Sequence, residues 1–231
     1  MLRQATLAAT LLAGLSAPAL AGTITPVGSR AALGGNDLID WTQLPPSITV
    51  VPTPVSVVSD HGLGAVVTSP SGAVFSDQQG NPWAGNFAPG DRLVGTGQIV
   101  PSAPILITFA DPVKAVGAQM GYDIISAVPF PFTETLDLFG SAHNLLASFS
   151  VPGFMDDAAD NSAVFIGATD TVAEIASAEF FTPTTTGPVP GGFTINQVSL
   201  LTAVPEPASV VLLATGLLGA LALRRRAKPP T

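Results

Sequence analysis

Turn-forming residues interrupt this chain often between residues 22 and 203, and no segment there shows a convincing helical pattern. The 231-residue sequence contains 23 Gly and 22 Pro, and many of them separate short runs rich in Val, Ile, Thr and Phe. Runs bounded in this way fit short β-strands, because proline lacks a backbone N–H and glycine favours turns. Only residues 172–181 hold enough Ala and Glu to leave helix and strand both open. The pattern predicts an all-β, antiparallel, jelly-roll-like β-sandwich of about ten or more strands.

The β-prone segments follow one another along the whole region. They are residues 38–41, 47–51, 55–58, 63–68, 73–75, 105–109, 113–123, 132–139, 144–151, 163–167, 172–181 and 193–200. The alternation of apolar and polar residues in 132–139 breaks at Phe139, which indicates a β-bulge. In 193–200 the apolar residues shift from odd to even positions after Ile195. Residues 140–143 suit a hairpin connection. The glycine-rich stretch 76–97 is too irregular for a helix and too long for a turn, so we predict an ordered surface loop.

The N-terminus has the three parts of a secretory signal peptide. These are a positive n-region in Met1-Leu2-Arg3, an apolar h-region in residues 5–15, and a small-x-small cleavage site in Ala19-Leu20-Ala21. We expect cleavage between Ala21 and Gly22, so that residues 1–21 are removed. An N-terminal transmembrane helix is the alternative, and the short apolar run and Pro18 disfavour it.

The last part of the chain, residues 204–231, combines a proline-rich turn, an apolar run and a basic end. Its order is Val204, Pro205, Glu206 and Pro207, then the apolar residues 208–223, then Arg224, Arg225 and Arg226. Sixteen helical residues reach about 24 Å, short of the roughly 30 Å hydrocarbon core, so 208–223 predicts one short transmembrane helix. Three guanidinium groups resist crossing a bilayer and hold residues 224–231 on the cytoplasmic side. The rest of the protein is therefore predicted to lie outside.

The order of these pieces, from Val204 to Arg226, resembles the PEP-CTERM sorting signal of Gram-negative bacteria. The resemblance implies that Pro205, Glu206 and Pro207 are recognised by a membrane-embedded exosortase, which processes the tail. It also implies a protein anchored transiently in the inner membrane and then located at the cell surface or outside the cell. The two prolines keep the tripeptide extended and accessible. A plain helix-breaking linker before a membrane anchor is the alternative.

The part between signal and tail, residues 22–203, is acidic and has a length that suits one domain. It carries three basic residues against fifteen Asp and Glu, a formal net charge of −12. Without a cationic patch to release counterions, nucleic acid is excluded as an electrostatic partner. The chain has no cysteine, which excludes disulfides, thiol catalysis and thiolate metal sites.

Several short motifs, each different, are spread through this domain. They are Asp40-Trp41, the loop 85–91, residues 105–109 with Pro112-Val113 and Val116-Gly117, residues 165–167 and residues 193–195. Together they resemble the extracellular β-sandwich ectodomains that commonly precede PEP-CTERM tails. Similar ectodomains often have Asp where this chain has Asn196, so the resemblance carries no metal role to that position.

Few residues of the domain point to catalysis. His61 and His143 lie in turn-like settings and are predicted to be solvated loop histidines. A glycosidase would need two opposed carboxylates, and none of Glu134, Glu174 and Glu179 has a neighbourhood that the sequence identifies as catalytic. We expect the protein not to be an enzyme.

Two further groups of residues are candidates for binding. Closely spaced oxygen ligands of the kind that Ca²⁺ accepts occur at Asp156, Asp157, Asp160 and Asn161. A solvated acidic turn explains these residues equally well, and no other cofactor is expected. Trp83 and Phe87 are candidates for stacking on a sugar, but a role in pinning their loop to the core is favoured.

Three functions remain open from the sequence. The first is a surface or matrix protein, sorted by its tail, with a structural or adhesive role in an extracellular polysaccharide or biofilm layer. The second is a carbohydrate-binding module on the same scaffold, and the third is a secreted hydrolase. Exposed aromatic side chains beside a sheet would favour the second, and convergent carboxylates in a cleft the third.

Overall fold

The computed structural model of the protein describes residues 22–46, 48–80, 83–97, 99–100, 102–122, 130–183 and 192–202. The predicted signal peptide, 1–21, and the predicted sorting tail, 204–231, lie outside these residues. The described part is built almost entirely from strands, and every strand pair in it is antiparallel.

Fifteen strands occur in the described residues. They are β1 Ile24–Val27, β2 Asp37–Ile39, β3 Thr49–Pro52, β4 Val55–Val58, β5 Gly64–Thr68, β6 Ala73–Gln78, β7 Arg92–Thr96, β8 Ile105–Val113, β9 Ala115–Tyr122, β10 Phe130–Phe139, β11 Leu145–Met155, β12 Val164–Asp170, β13 Ile175–Phe181, β14 Phe193–Ile195 and β15 Val198–Leu201. A short helix, α1, spans Arg30–Leu33, and a 3-10 helix spans Trp41–Gln43.

Within the described residues these strands form two sheets. The nine-stranded sheet has the order β1-β12-β9-β14-β7-β6-β3, with β15 pairing with both β9 and β2. The six-stranded sheet has the order β11-β10-β13-β8-β5-β4. The chain passes repeatedly from one sheet to the other, for example from β7 to β8 and from β11 to β12. The predicted jelly-roll-like antiparallel β-sandwich is therefore confirmed.

The main hydrophobic core lies between the two sheets. Alternating residues of each strand point into it, such as Ile107 and Leu136 from the six-stranded sheet and Val94 and Met120 from the nine-stranded sheet, all with 0% exposure. This arrangement follows from the period-two geometry of strands, which sends successive side chains to opposite faces. With no cysteine in the chain, burial of these side chains is the principal source of stability.

A second cluster of aromatic side chains covers part of the outer face of the nine-stranded sheet. Val74 belongs to the main core, so its neighbour Phe75 points to the opposite face, where it meets Trp83 and Phe87. The predicted surface loop 76–97 is thus wrong in two respects. Its ends belong to β6 and β7, and Trp83 and Phe87 in the middle are 1% and 0% exposed. Burial of the large apolar side chains of Trp83 and Phe87 packs this segment against the sheet, although its glycines and prolines prevent regular secondary structure.

Several local predictions are confirmed. Strands β10 and β11 form a hairpin through residues 140–143, and their register shifts between Leu138 and Phe139, where the bulge was expected. The ambiguous segment 172–181 contains strand β13, and the parity change after Ile195 marks the break between β14 and β15. The strand predicted for 38–41 ends earlier, because the Asp40 side chain accepts a hydrogen bond from the backbone N–H of Thr42 and starts the 3-10 helix.

Candidate functional site

The outer face of the six-stranded sheet carries a row of mostly polar side chains. Leu136 and Leu138 of β10 are in the core, so Asp137 between them points outward, and Phe180 of β13 places Glu179 outward in the same way. The strand register aligns five residues across the sheet, in the order Ser148, Asp137, Glu179, Leu106 and Thr68. We call these five residues the polar row.

Asp137 and Glu179 stand directly opposite each other on neighbouring strands. Partial burial, and then the negative charge of Asp137, raise the pKa of the Glu179 carboxyl. The Oδ1 atom of Asp137 is shielded from solvent and has no hydrogen-bond partner in the described structure. Like charges placed directly opposite each other destabilise a sheet, so this pair of carboxylates lowers the stability of the fold. The Glu179 carboxylate and the Oδ2 atom of Asp137 remain as acceptors for a ligand rich in hydrogen-bond donors.

Hydroxyl groups lie next to the polar row, and one exposed aromatic ring lies farther along the same outer face. Thr135 and Ser150 share a hydrogen bond of 2.9 Å between their hydroxyl oxygens, and Ser150 is exposed beside Ser148 on β11. Further along the same strand face, Phe154 is 53% exposed and lies opposite Pro131. The face therefore offers hydroxyls, carboxylates and an aromatic ring, the groups that proteins use to hold sugars.

The predicted sugar-stacking residues do not take part in this face. Trp83 and Phe87 are buried, and the Trp83 ring stacks on Phe75 with 6.3 Å between ring centroids. The favoured prediction, that they pin their loop to the core, is confirmed. Sequence reasoning missed Phe154 because its exposure depends on which face of β11 points outward.

The glutamates that the sequence singled out lie in three separate places. Glu179 is in the polar row, Glu134 is buried between the sheets, and Glu174 lies beside Asp170 near the start of the described chain. Glycosidases hold two carboxyl groups on opposite sides of the scissile bond. Asp137 and Glu179 instead point from adjacent strands toward the same side, a geometry that does not enclose a bond.

The calcium candidates fall in the turn after β11, and protein groups occupy several of their oxygens. Asp156 Oδ1 accepts hydrogen bonds from Asn86 Nδ2 at 2.9 Å and from the backbone N–H of Ala158 at 2.9 Å. Hydrogen bonds from the Ser162 hydroxyl and then from the Ser162 backbone N–H, which donates to Asp160 Oδ1 at 3.0 Å, lower the pKa of Asp160. The Oδ1 atom of Asn161 accepts from Gln119 Nε2, and Asp157 is exposed. Within the described residues no group of three or more His, Asp or Glu side chains is arranged around a common metal position.

Asn196 is the centre of a buried hydrogen-bond network, which we call the Asn196 hub. Its Nδ2 donates to Asp91 Oδ2 at 3.0 Å and to Gln119 Oε1 at 2.7 Å, while its Oδ1 accepts from Arg30 Nη2 at 3.1 Å. Its backbone oxygen accepts from Trp41 Nε1 at 2.9 Å. Burial lowers the pKa of Arg30, and the charge of Asp91 opposes that effect. The two donor hydrogens and the acceptor oxygen of the Asn196 side chain are all used. Through these bonds the hub connects α1 and β9 to the turn between β14 and β15.

A serine, a histidine and an aspartate also meet near the start of β5, but not as a catalytic triad. The Ser59 hydroxyl donates to Asp37 Oδ2 at 2.5 Å, and the His61 backbone N–H donates to Asp37 Oδ1 at 3.0 Å. Hydrogen bonds to Ser59 and to backbone N–H groups lower the pKa of Asp37 against the opposing effect of burial. Catalysis would need the serine bonded to the imidazole, and the His61 side chain is 69% exposed. His143, in the β10–β11 turn, is exposed too, as predicted for both histidines.

The described chain ends in a side-chain clasp. The Asn36 Oδ1 atom accepts hydrogen bonds from the Thr202 backbone N–H at 2.9 Å and from its hydroxyl at 3.1 Å, and Asn36 Nδ2 donates to the Thr202 carbonyl at 3.3 Å. Among the described residues, no helix is long and apolar enough to cross a membrane. The predicted span, 208–223, lies beyond them, as do Val204–Pro207 and Arg224–Arg226.

The fold and the polar row define an acidic β-sandwich module with one polar outer face. Residues 203–226 match the PEP-CTERM protein-sorting motif, in agreement with the resemblance of the tail. The chain is therefore an exported protein sorted through its C-terminus, with a motif that implies processing by an exosortase-type enzyme and then association with the cell surface.

Two solved structures are similar to part of this chain at low TM-scores. One is a glycoside hydrolase family 43 arabinoxylan arabinofuranohydrolase from Bacillus subtilis, with 12% identity, a TM-score of 0.33 and coverage of 68% of this chain and 28% of that chain. The other is CsCBM6-3 from Clostridium stercorarium, with 12% identity, a TM-score of 0.30 and coverage of 68% of this chain and 96% of that chain. No curated protein sequence matches the chain.

Proposed function

We propose that this protein is a non-enzymatic, structural or adhesive component of an extracellular polysaccharide or biofilm layer. The match of residues 203–226 to the sorting motif supports this proposal most directly, because sorting delivers the β-sandwich to the cell surface. A short anchor, the sixteen-residue and largely apolar run 208–223, suits temporary residence in the inner membrane before processing.

The outer face of the six-stranded sheet is the contact surface for polysaccharide. The hydroxyl groups of a neutral sugar donate to Asp137 and Glu179, whose negative charges have no cationic partner in the described residues. Ser148 both donates and accepts, and the Phe154 ring stacks on an apolar sugar face. An anionic polysaccharide would be repelled by the carboxylates, so a neutral glycan is the expected partner.

The same face supports a second candidate function, a selective carbohydrate-binding module. The observation in its favour is the exposed Phe154 ring on the same outer face as the row of hydrogen-bonding groups. Selective binding of a few related glycans would favour the module. Weak retention by many neutral polysaccharides would favour a general adhesive role.

The test of polysaccharide binding uses the exported protein on a glycan array, with and without Ca²⁺. Replacement of Phe154 by Ala, or of Asp137 and Glu179 by Asn and Gln together, should reduce binding several-fold. Leu145→Ala is the matched control, because Leu145 lies on the same strand and is 55% exposed against 53% for Phe154. Equal binding by the wild type, by Phe154→Ala and by the double variant of Asp137 and Glu179 would contradict the proposed surface.

The test of sorting uses Glu206→Ala in a host that carries the matching exosortase. Insertion should persist because residues 208–226 are unchanged, but the variant should accumulate as a full-length, membrane-bound form. The wild type should lose its C-terminal segment and leave the inner membrane. If the wild type also stayed full length there, the tail would be a plain anchor.

The absence of enzyme activity is tested separately. The exported protein should release no reducing ends from the polysaccharides that it binds, because Asp137 and Glu179 do not flank a bond. Release that disappears in the double variant of these two residues would instead support the hydrolase alternative.

A further inference from the structure

Gly22 lies against the last residues of strand β12. Strand β1 pairs with β12 so that Ile24 stands opposite Asp170, and the Thr23 backbone N–H donates to the Thr171 hydroxyl at 3.0 Å. This pairing brings the segment that begins at Gly22 to the end of β12. The sequence places the expected signal-peptidase cleavage directly before Gly22.

The carboxylate of Asp170 is buried beside Gly22 and lacks a full set of partners. Asp170 is 6% exposed, its Oδ1 accepts a hydrogen bond from the Val172 backbone N–H at 3.2 Å, and its Oδ2 is shielded from solvent without a hydrogen-bond partner. A Cβ atom on Gly22 would overlap Oδ1 and lie 2.7 Å from Oδ2. Glycine is therefore required here by the close approach of the carboxylate.

A second carboxylate, that of Glu174, contacts Gly22 through its backbone nitrogen. The Gly22 backbone N–H donates a hydrogen bond to Glu174, and the side chains of Glu174 and Asp170 are also in contact. Burial, followed by the charge of Asp170, raises the pKa of Glu174. No lysine or arginine of the described residues forms an ion pair with either acid. One carboxylate thus accepts from the Gly22 nitrogen, a second lies against the same residue, and no cationic side chain of the described residues pairs with either.

We propose that signal-peptide removal supplies this charge: the new α-ammonium group of Gly22 docks between Asp170 and Glu174. Hydrolysis of the Ala21–Gly22 peptide bond consumes one water, leaves a carboxylate on Ala21 and a free amine on Gly22, and the amine takes up a proton from solvent. The ammonium has three donors where the uncleaved amide has one. Its additional donors reach Asp170 Oδ2, which the amide leaves without a partner.

The docked ammonium makes cleavage a stabilising step for the mature fold. Two carboxylates raise the pKa of the Gly22 amine above the ordinary range of about 7.7–8.0. The stabilisation is complete below the ordinary pKa and is lost as the pH rises through the raised one. The titratable groups in contact with Gly22 are Asp170 and Glu174, and the Thr171 hydroxyl nearby is neutral. The Lys114 carbonyl accepts a hydrogen bond from the Asp170 backbone N–H at 2.6 Å, but the Lys114 side chain forms no ion pair with either acid in the described structure.

The first measurement takes the exported, processed protein and determines its N-terminal residue and the pH dependence of α-amine labelling. The sequence should begin at Gly22, and each unit of increase in the amine's pKa should slow labelling at neutral pH about tenfold. An N-terminus at another residue, or an amine that labels as fast as that of a short peptide, would overturn the proposal.

Substitutions then test which groups hold the amine. Asp170→Asn and, separately, Glu174→Gln should return the labelling rate toward that of a peptide, whereas Asp157→Asn, at an exposed acid outside this cluster, should not. Glu174 is half-exposed, so its variant remains informative if Asp170→Asn fails to fold. α-Acetylation should lower the melting temperature of the wild type more than that of Glu174→Gln. Equal lowering in both proteins would mean that the amine has no partner at this site.

Discussion

Glu134 offers the sharpest test of the fold, because it places an ionisable group between the two sheets. It shares the inward face of β10 with Leu136 and is 0% exposed. The Thr182 hydroxyl donates to its Oε2 at 2.8 Å, while its Oε1 is buried without a partner. Burial raises the pKa of Glu134 well above its ordinary value, against the smaller opposing effect of Thr182. The folded protein therefore keeps this carboxyl protonated to a higher pH than the unfolded chain does.

The sign and size of the effect follow from proton linkage. Above about pH 4.3 the unfolded chain releases the Glu134 proton and the folded protein retains it, so the free energy of unfolding falls as the pH rises. The slope for one proton is about 1.4 kcal/mol per pH unit, and it ends at the raised pKa of the folded state. The contribution is fully present below the unfolded pKa and lost above the folded one.

Glu134→Gln removes this titration while keeping the shape of the side chain. Urea unfolding of the exported protein and of the variant, in half-unit steps from pH 4 to 8, should show the variant gaining stability relative to the wild type as the pH rises. Asp111→Asn, at an exposed acid on β8, is the control and should show no such trend. A stability difference for Glu134→Gln that is independent of pH would refute the buried, protonated carboxyl.

Three further substitutions test other parts of the structure. Trp83→Ala should cost about 3–5 kcal/mol in urea unfolding, because it empties a buried site against Phe75; a cost below about 1 kcal/mol would mean that the loop is not pinned. Asn196→Ala should cost about 1–3 kcal/mol, since it leaves the half-buried Asp91 carboxylate and the Gln119 side chain without the hydrogen bonds that Asn196 donates to them, and a loss below about 0.5 kcal/mol, as expected of a surface asparagine, would contradict the hub. Glu179→Gln should raise the melting temperature at neutral pH by removing repulsion from Asp137, and the gain should vanish at pH 3, where the Glu179 carboxyl, whose pKa is raised, is protonated and neutral. A gain that persists at pH 3 would have another origin.

The sequence predicts the sandwich well where the signal is local. The hairpin at residues 140–143 and the bulge at Phe139 follow from period-two alternation and its interruption, and both are found in the structure. The sorting motif is also local, since the order of a few residues defines it without reference to the fold. Strands β1 and β7 were missed because glycine and proline nearby obscure their short apolar patterns.

The candidate sites were harder to predict because they depend on long-range register. Asp137 and Glu179 become neighbours only when β10 pairs with β13, and they are far apart in sequence. Asn196 meets Arg30 and Asp91 across 166 and 105 residues. Trp83 shows the opposite problem, since its glycine-rich surroundings suggest a surface loop although the residue itself anchors the segment. No local pattern distinguishes these arrangements.

The position of β15 determines how the domain would respond to mechanical force. The strand lies between β9 and β2, and the Asn36 clasp holds Thr202, three residues before Pro205. Tension applied through a C-terminal attachment to the cell enters the sheet along β15, parallel to the strand. Hydrogen bonds on both sides of the strand are then loaded together in shear, whereas a strand at the sheet edge can be peeled away one bond at a time. A cell-surface protein tethered at this end can resist drag without the disulfides that its sequence lacks.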